Sequence, residues 1–188
     1  GAQKTGTTAI QSFLNMNREP LRKSGIIYPI PPGSEPSHAF LAALISKRKV
    51  PEYLRTAFRN DVDKIEAYAR RSWRKTKKIL AREKAETCVI SSEALFHDYS
   101  VMELANAKSL FSQISSSPTM ISYVRSPADW FLSMILQRVK LPNDLPSIAA
   151  RSPMAVLKSW AEFDCRLRVR KFDRQNLVGA DILKDFSI

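Results

Sequence analysis

The sequence predicts an α/β fold in which an open parallel sheet carries helices on both faces. Segments with helical spacing of apolar residues alternate along the 188-residue chain with short β-prone runs. Two of those runs, residues 87–91 and 119–124, are apolar without alternation, as strands covered on both faces are. A loop of small residues, 1–8, opens straight into a segment where Ile10, Phe13 and Leu14 fall at helical spacing. The length suits one domain, 1–188, and the hydrophobic (44%) and charged (26%) fractions are those of a globular chain rather than a disordered or fibrous one.

The opening loop reads Gly1-Ala2-Gln3-Lys4-Thr5-Gly6-Thr7-Thr8. Its glycines let the backbone turn tightly with N–H groups pointing into one concavity. Thr5, Thr7 and Thr8 add hydroxyls, and Lys4 adds a mobile cation. The helix start that follows offers free N–H groups and a positive dipole end. Together these features lead us to expect a phosphate or sulfate cradle. A Walker-type loop carries its lysine after the second glycine, whereas Lys4 precedes Gly6, so that pattern fails. The plainer reading is an ordinary helix start with a solvated lysine.

In chain order, the first helix is expected over residues 7–17, stopping near Pro20. Ser24-Gly25 reads as a turn and residues 26–28 as a short extended piece. Pro29, Pro31, Pro32, Gly33 and Pro36 then force a loop that carries Glu35 and His38. Residues 38–46 look helical, with Phe40, Leu41, Leu44 and Ile45 on an apolar face. Residues 51–84 read as two helices divided near Asn60-Asp61. Arg70, Arg71, Arg74, Lys75, Lys77 and Lys78 are spread around the second helix, which favours a solvated face over a basic substrate rim.

The run 87–91 is expected to be a buried parallel strand ending in Ser92-Glu93. Ligands of open α/β sheets sit beyond the carboxyl ends of strands, which places Glu93 like a catalytic residue, with His97 just after it. A carboxylate steadying its own helix start explains Glu93 equally well. Residues 101–114 read as a helix, and the strand 119–124 delivers Arg125 at its carboxyl end. Ser126 can cap the next helix, Pro127 can occupy its first turn, and Ser133 stands in its interior. Arg125 is suited to bidentate phosphate binding, with a salt bridge as the alternative. Residues 141–153 form a Pro-rich stretch long enough for a substrate loop or lid. Residues 155–163 are expected to be helical, 166–170 a strand near a sheet edge, and 179–186 a final short helix.

The net charge of +12 favours polyanionic partners, from nucleotides to sulfated polymers and acidic membranes, although a merely basic surface would carry the same charge. Cys88 and Cys165 lie far apart without CxxC partners, so they suggest buried free thiols and a reducing cytoplasm rather than a zinc site or disulfide scaffold. No run approaches the ~20 apolar residues of a membrane span. The loop already stands at residue 1, so a strand before it is expected to lie outside these 188 residues.

Three segments, in this order, resemble the sulfotransferase family that uses 3′-phosphoadenosine 5′-phosphosulfate, in particular its bacterial and carbohydrate-type members. Residues 1–8 resemble the family's 5′-phosphosulfate loop; Tyr123-Val124-Arg125-Ser126-Pro127 with Ser133 resembles its 3′-phosphate motif; residues 168–174 with 179–182 and Asp185-Phe186 look like its late strand–helix segment. Two departures stand out: Gln3 replaces a common proline, and no Arg-Lys-Gly-type segment follows before Ile188. The resemblance implies a P-loop-type three-layer sandwich and in-line transfer of a sulfuryl group without a metal. The acceptor implied is a hydroxyl or amine on a carbohydrate or small molecule. It also implies that Lys4 stabilises charge on the leaving oxygen, that Gln3, Lys4, Thr5, Gly6, Thr7 and Thr8 hold the 5′ end, and that Arg125 and Ser133 hold the 3′-phosphate. The general base is expected at Glu93, then His38, with Glu35 and His97 as further candidates. The implied partners are nucleotide and acceptor, with no nucleic acid, in a bacterial cytoplasm.

Two other functions fit parts of the sequence. A P-loop kinase or NTPase needs an aspartate ending an apolar strand, and neither strand ends in one. A non-catalytic module for anionic polymers would need only the basic surface.

Overall fold

The computed structural model describes residues 2, 4–31, 34–83, 85–139, 153–163 and 165–187. Gln3 and nearly all of the expected substrate loop 141–153 lie outside the described residues. The fold is α/β with parallel strands, as expected. The strands pair as two separate two-stranded sheets. In one, β1 (Ile26–Ile27) lies parallel to β2 (Thr87–Cys88), with Ile26 opposite Thr87. In the other, β3 (Thr119–Val124) lies parallel to β4 (Arg166–Lys171), with Thr119 opposite Arg166 and Val124 opposite Lys171. The run 87–91 therefore departs from expectation: only its first two residues form a ladder, and both are exposed. Cys88 is exposed and Cys165 half-buried, so neither thiol is the fully buried one the composition suggested.

The first helix, α1 (Thr7–Met16), buries Ile10 and Leu14. It ends where Asn17 turns its amide back to donate to the Phe13 carbonyl at 2.8 Å. Pro20 does not stop the chain there. It stands in the first turn of α2 (Arg18–Lys23), where a missing N–H leaves no helical bond unmade. Gly25, at φ 76°, turns the chain into β1.

After the proline loop comes α3 (Phe40–Ile45), of which all but Leu44 is buried. A helix apolar all round belongs in the middle of a core, and this one packs against both α5 and α6 below. The pair α4 (Glu52–Ala57) and α5 (Val62–Arg82) divides where expected: Arg59 and Asn60 take left-handed φ of 52° and 60°, and the Asp61 carboxylate caps α5 through the Lys64 N–H. Along α5, Ile65, Ala69, Ser72, Trp73 and Thr76 form the buried stripe. Of its cations, Arg70 pairs with Glu66 one turn away and Lys77 donates to Gln113 just beyond α6. Farther along, α6 (Val101–Phe111) starts with a capping box between Ser100 and Glu103.

The remaining helices are α7 (Pro127–Arg138), α8 (Pro153–Ala161) and α9 (Ile182–Phe186). Among the described residues no helix is long and apolar enough to cross a membrane.

β3 has apolar cover on both faces. Met120 and Val124 pack with Trp160 and Phe163, while Ile121 and Tyr123 pack with Ile10 and Leu14 of α1 and Ile182 of α9. One polar node ties these layers together. The buried Tyr123 hydroxyl donates to Asp185 Oδ2 at 2.6 Å, Arg170 Nη1 donates to the same oxygen at 2.7 Å, and the Val178 N–H donates to Oδ1 at 3.2 Å. Burial alone would raise the Asp185 carboxyl, but these three donors outweigh it and hold the group below the usual carboxylate range.

Removing the carboxylate leaves the Tyr123 hydroxyl and the Val178 N–H without this acceptor, while Arg170 Nη1 keeps the Asp185 carbonyl at 2.5 Å. We expect Asp185→Ala to cost about 3 kcal/mol in chemical denaturation, and Tyr123→Phe about 1 kcal/mol. Because Asp185 has a depressed folded-state pKa, its contribution is full above the ordinary carboxylate pKa and is lost as pH falls through the lower folded value. Acid titration of stability should therefore be shallower in Asp185→Ala than in the wild type below about pH 4.

Candidate functional site

The loop that opens the chain is built by a few short contacts. The Ala2 N–H donates to the Tyr123 carbonyl at 3.0 Å, which fixes the loop to the carboxyl end of β3. The buried Thr5 hydroxyl donates back to the Ala2 carbonyl at 2.5 Å and closes a tight turn. Lys4 and Gly6 flank Thr5 with left-handed φ of 64° and 75°. Gly6 is required twice over: a Cβ there would sit 3.1 Å from both Phe172 Cε2 and Ile182 Cγ1. Lys4 accepts a conformation costing non-glycine residues about 1–2 kcal/mol, so the surrounding turn must impose it.

Downstream of this turn, α1 begins with Gly6 at its N-cap, no side-chain cap and no acidic residue in its first turn. Helices α5, α6 and α7 each have a capping side chain. The first-turn N–H groups and the positive dipole end of α1 are thus left for something else.

The three threonines divide their work. Thr5 is a latch and Thr7 is buried, which leaves Thr8 as the exposed hydroxyl. Thr8 lines a cleft of about 1250 Å³. The Thr5 hydroxyl is engaged by the Ala2 carbonyl, and Thr7 is buried and lines a second space rather than this cleft. Lys4 is half-buried at the bend and does not line this cleft.

Arg125 enters the same cleft from the end of β3. Its guanidinium carbon lies 4.9 Å from the centroid of Phe172, whose ring edge also abuts Gly6. No carboxylate pairs with Arg125 among the described residues. The nearest in sequence, Asp129, accepts the Ser126 hydroxyl at 2.6 Å and the cap of α7 holds it there. Ser126 and Pro127 take the positions the sequence predicts. Ser133 does not line the cleft; it lies one helical turn beyond Trp130, which does.

Of the acid–base candidates, Glu93, Glu35 and His97 line the cleft. Glu93 is exposed at the head of a single 3₁₀ turn capped by Ser92, whose hydroxyl accepts the Ala94 N–H at 3.1 Å. Glu35 is exposed on the facing loop, and His97 packs its ring edge against Tyr99. His38 is placed differently. It is fully buried, accepts the Ser91 N–H at Nδ1 and lies 3.3 Å from the Pro29 carbonyl at Nε2. Both ring nitrogens are engaged and the ring is outside the cleft lining, so His38 binds the proline loop to the segment after β2 and is not placed as a base. Burial outweighs both hydrogen bonds and pushes its pKa down to about 4.

One wall of the cleft escaped the sequence reading. Arg48 and Lys49, from the connection between α3 and α4, and Tyr53 and Arg55, from α4, line the cleft together with Trp130 and Phe131. Lys49 is neutralised between Asp98 and Glu103, and Arg55 donates to the Arg48 carbonyl at 2.9 Å. The run Lys47-Arg48-Lys49 between an apolar helix and Pro51 was the available signal. Compared with protein-family models, curated proteins and solved structures, the chain gave no match in any of the three.

The Gly6 site is testable directly. Gly6→Ala should lose about 2 kcal/mol, a fall of roughly 4–8 °C in melting temperature, because the left-handed φ and the contacts with Phe172 and Ile182 both oppose a Cβ. The His38 ring titrates near 6.5 when unfolded and near 4 when folded, so stability is full above pH 6.5 and falls as pH drops towards 4. The expected loss is about 3 kcal/mol. His38→Gln should flatten this pH dependence, measured as denaturation midpoint against pH.

Proposed function

We propose that the chain is a sulfotransferase that moves a sulfuryl group from 3′-phosphoadenosine 5′-phosphosulfate to a hydroxyl or amine of a carbohydrate or small-molecule acceptor. One observation carries the reading. A single cleft receives an uncapped helix start, an arginine with no carboxylate partner among the described residues, and an exposed carboxylate, from three separate elements. A donor with a phosphate at each end of its ribose calls for two separate anion sites, and the helix start and Arg125 are two such groups.

When bound, the donor supplies the sulfuryl group and a nucleotide leaving group. The first-turn N–H groups of α1 and the Thr8 hydroxyl hold the charge at the 5′ end, Thr5, Gly6 and Thr7 contributing through the backbone. The Lys4 ammonium, on its flexible stem, neutralises charge growing on the leaving oxygen. Arg125 takes the 3′-phosphate, with the Ser133 hydroxyl from α7. Glu93 accepts the acceptor's proton from the opposite wall. Catalysis on this scheme is positioning and charge stabilisation.

The test uses 3′-phosphoadenosine 5′-phosphate as a binding probe and sulfate transfer from labelled donor to a panel of glycans and phenols as the activity readout. Arg125→Ala should weaken nucleotide binding about 10- to 100-fold. Lys4→Ala should leave binding within a few fold and lower transfer by about 100-fold or more. A folded wild-type protein that shows neither a nucleotide-induced thermal shift nor transfer sinks the proposal. Salt-sensitive heparin binding unaffected by Lys4→Ala would instead support a basic polymer-binding module.

A further inference from the structure

The part of the cleft lined by Arg48, Lys49, Tyr53 and Arg55 comes from the α3–α4 connection and from α4. The groups placed at the donor come from elsewhere in the chain, Thr8 from the start of α1 and Arg125 from the exit of β3. The cleft, at about 1250 Å³, is larger than the roughly 300–1000 Å³ of most small-molecule sites. It has room for a second ring beside a nucleotide.

The charges on this side of the cleft are unequally satisfied. Half-buried Lys49 lies 3.2 Å from Glu103 and 3.8 Å from Asp98, which cancel it. Arg55 is half-buried too, but its Nη2 donates to the Arg48 carbonyl at 2.9 Å. A neutral carbonyl holds the guanidinium in place without cancelling its charge, and leaves its other N–H groups to donate elsewhere. Among the described residues, neither Arg55 nor the exposed Arg48 has a carboxylate within ion-pair distance. The other carboxylates of the cleft, Glu35, Glu52 and Glu93, are exposed and keep their water. Arg55 is less fully hydrated, so an anion from outside gains more there than at an exposed cation.

Aromatic rings complete the lining: Tyr53, Trp130 and Phe131 all border the cleft. Burial, then Tyr68 and Glu35, push the Tyr53 phenol up to about 12, so at neutral pH it is an uncharged hydroxyl donor. A pyranose presents a C–H face that an aromatic ring covers, and an edge of hydroxyls that Ser37, Glu52 and Tyr53 can bond. We propose that the acceptor is an acidic sugar. Its carboxylate or sulfate binds Arg55, with Arg48 beside it, and its ring lies on Trp130. This assignment rests on the transfer reading above, in which Arg125 and α1 take the donor and Glu93 the proton. An anion fixed at Arg55 orients the ring and so selects which hydroxyl is modified.

Two probes that differ only in a carboxylate in place of a hydroxymethyl, 4-nitrophenyl β-glucuronide and 4-nitrophenyl β-glucoside, test this by calorimetric binding, with 3′-phosphoadenosine 5′-phosphate titrated separately. The glucuronide should bind about 10-fold or more tightly than the glucoside. Arg55→Gln should abolish that preference while leaving the glucoside within about threefold and nucleotide binding unchanged. Arg55→Lys, which keeps the charge, should retain part of the preference. Trp130→Ala should weaken both glycosides alike. Equal affinity for the two glycosides, or binding of neither, overturns the proposal. So does a preference that survives Arg48→Gln combined with Arg55→Gln in a protein that still melts cooperatively. A preference lost in Arg125→Ala also overturns it, because the anion then sits where the donor was placed. The glycoside preference without nucleotide binding sinks the transfer reading and leaves an acidic-sugar site, whereas nucleotide binding and transfer without the preference sink this inference alone.

Discussion

The Phe172 ring sets the spacing between the opening loop and Arg125. Its edge lies so close to Gly6 that a Cβ there would be crowded at 3.1 Å, and the Arg125 guanidinium lies over its face. The ring is itself fixed, since the Phe172 N–H donates to the Val124 carbonyl at 2.7 Å, one residue before Arg125. The loop is held to the same strand end by the Ala2 N–H on the Tyr123 carbonyl. Three consecutive residues of β3 and its exit therefore carry the loop, the ring and the arginine. The backbone positions of the loop and of the arginine are thereby fixed relative to each other before any ligand enters.

That geometry depends on a polar node one layer below. The Tyr123 carbonyl holds the loop while its hydroxyl goes to Asp185, which also binds Arg170 of β4 and caps the turn before α9 through the Val178 N–H. Ile182, the first residue of α9, is the second group that crowds Gly6. The late part of the chain, with no residue in the cleft, thus determines whether the first turn of α1 points into it. A buried carboxylate with three donors costs desolvation, but it fixes one register of β3, β4 and α9 where purely apolar contacts would tolerate several.

Local chemistry was legible in the sequence, and long-range pairing was not. The break at Asn60-Asp61, the Ser126-Pro127 helix start, the loop opening α1 and the strand delivering Arg125 all follow from a residue's own conformational preference or from one turn of helix. Pro20 misled because proline is harmful only beyond the first turn of a helix, and the start of α2 at Arg18 has no strong signal. The resemblance offered His38 as a base beside Glu35, and nothing near it in sequence signals its burial. Its burial comes from Pro29 and Ser91, the latter 53 residues away. The Arg48–Arg55 wall shares the cleft with Trp130 and Phe131 across more than 70 residues of sequence, and no periodicity encodes such a meeting.

The two large spaces of the molecule differ in what lines them. In the cleft the unpartnered groups are mobile or terminal: helix-start N–H groups, the Arg125 guanidinium and the Glu93 carboxylate. Each can remain hydrated until a ligand replaces the water, so an open cleft is a stable resting state. The second space, about 1170 Å³, is lined by residues of both strand pairs, among them Cys88, Ile90, Met120 and Ile121, and by the rings of Phe111, Trp160 and Phe163. A cleft whose unpartnered groups stay hydrated needs no occupant to be stable.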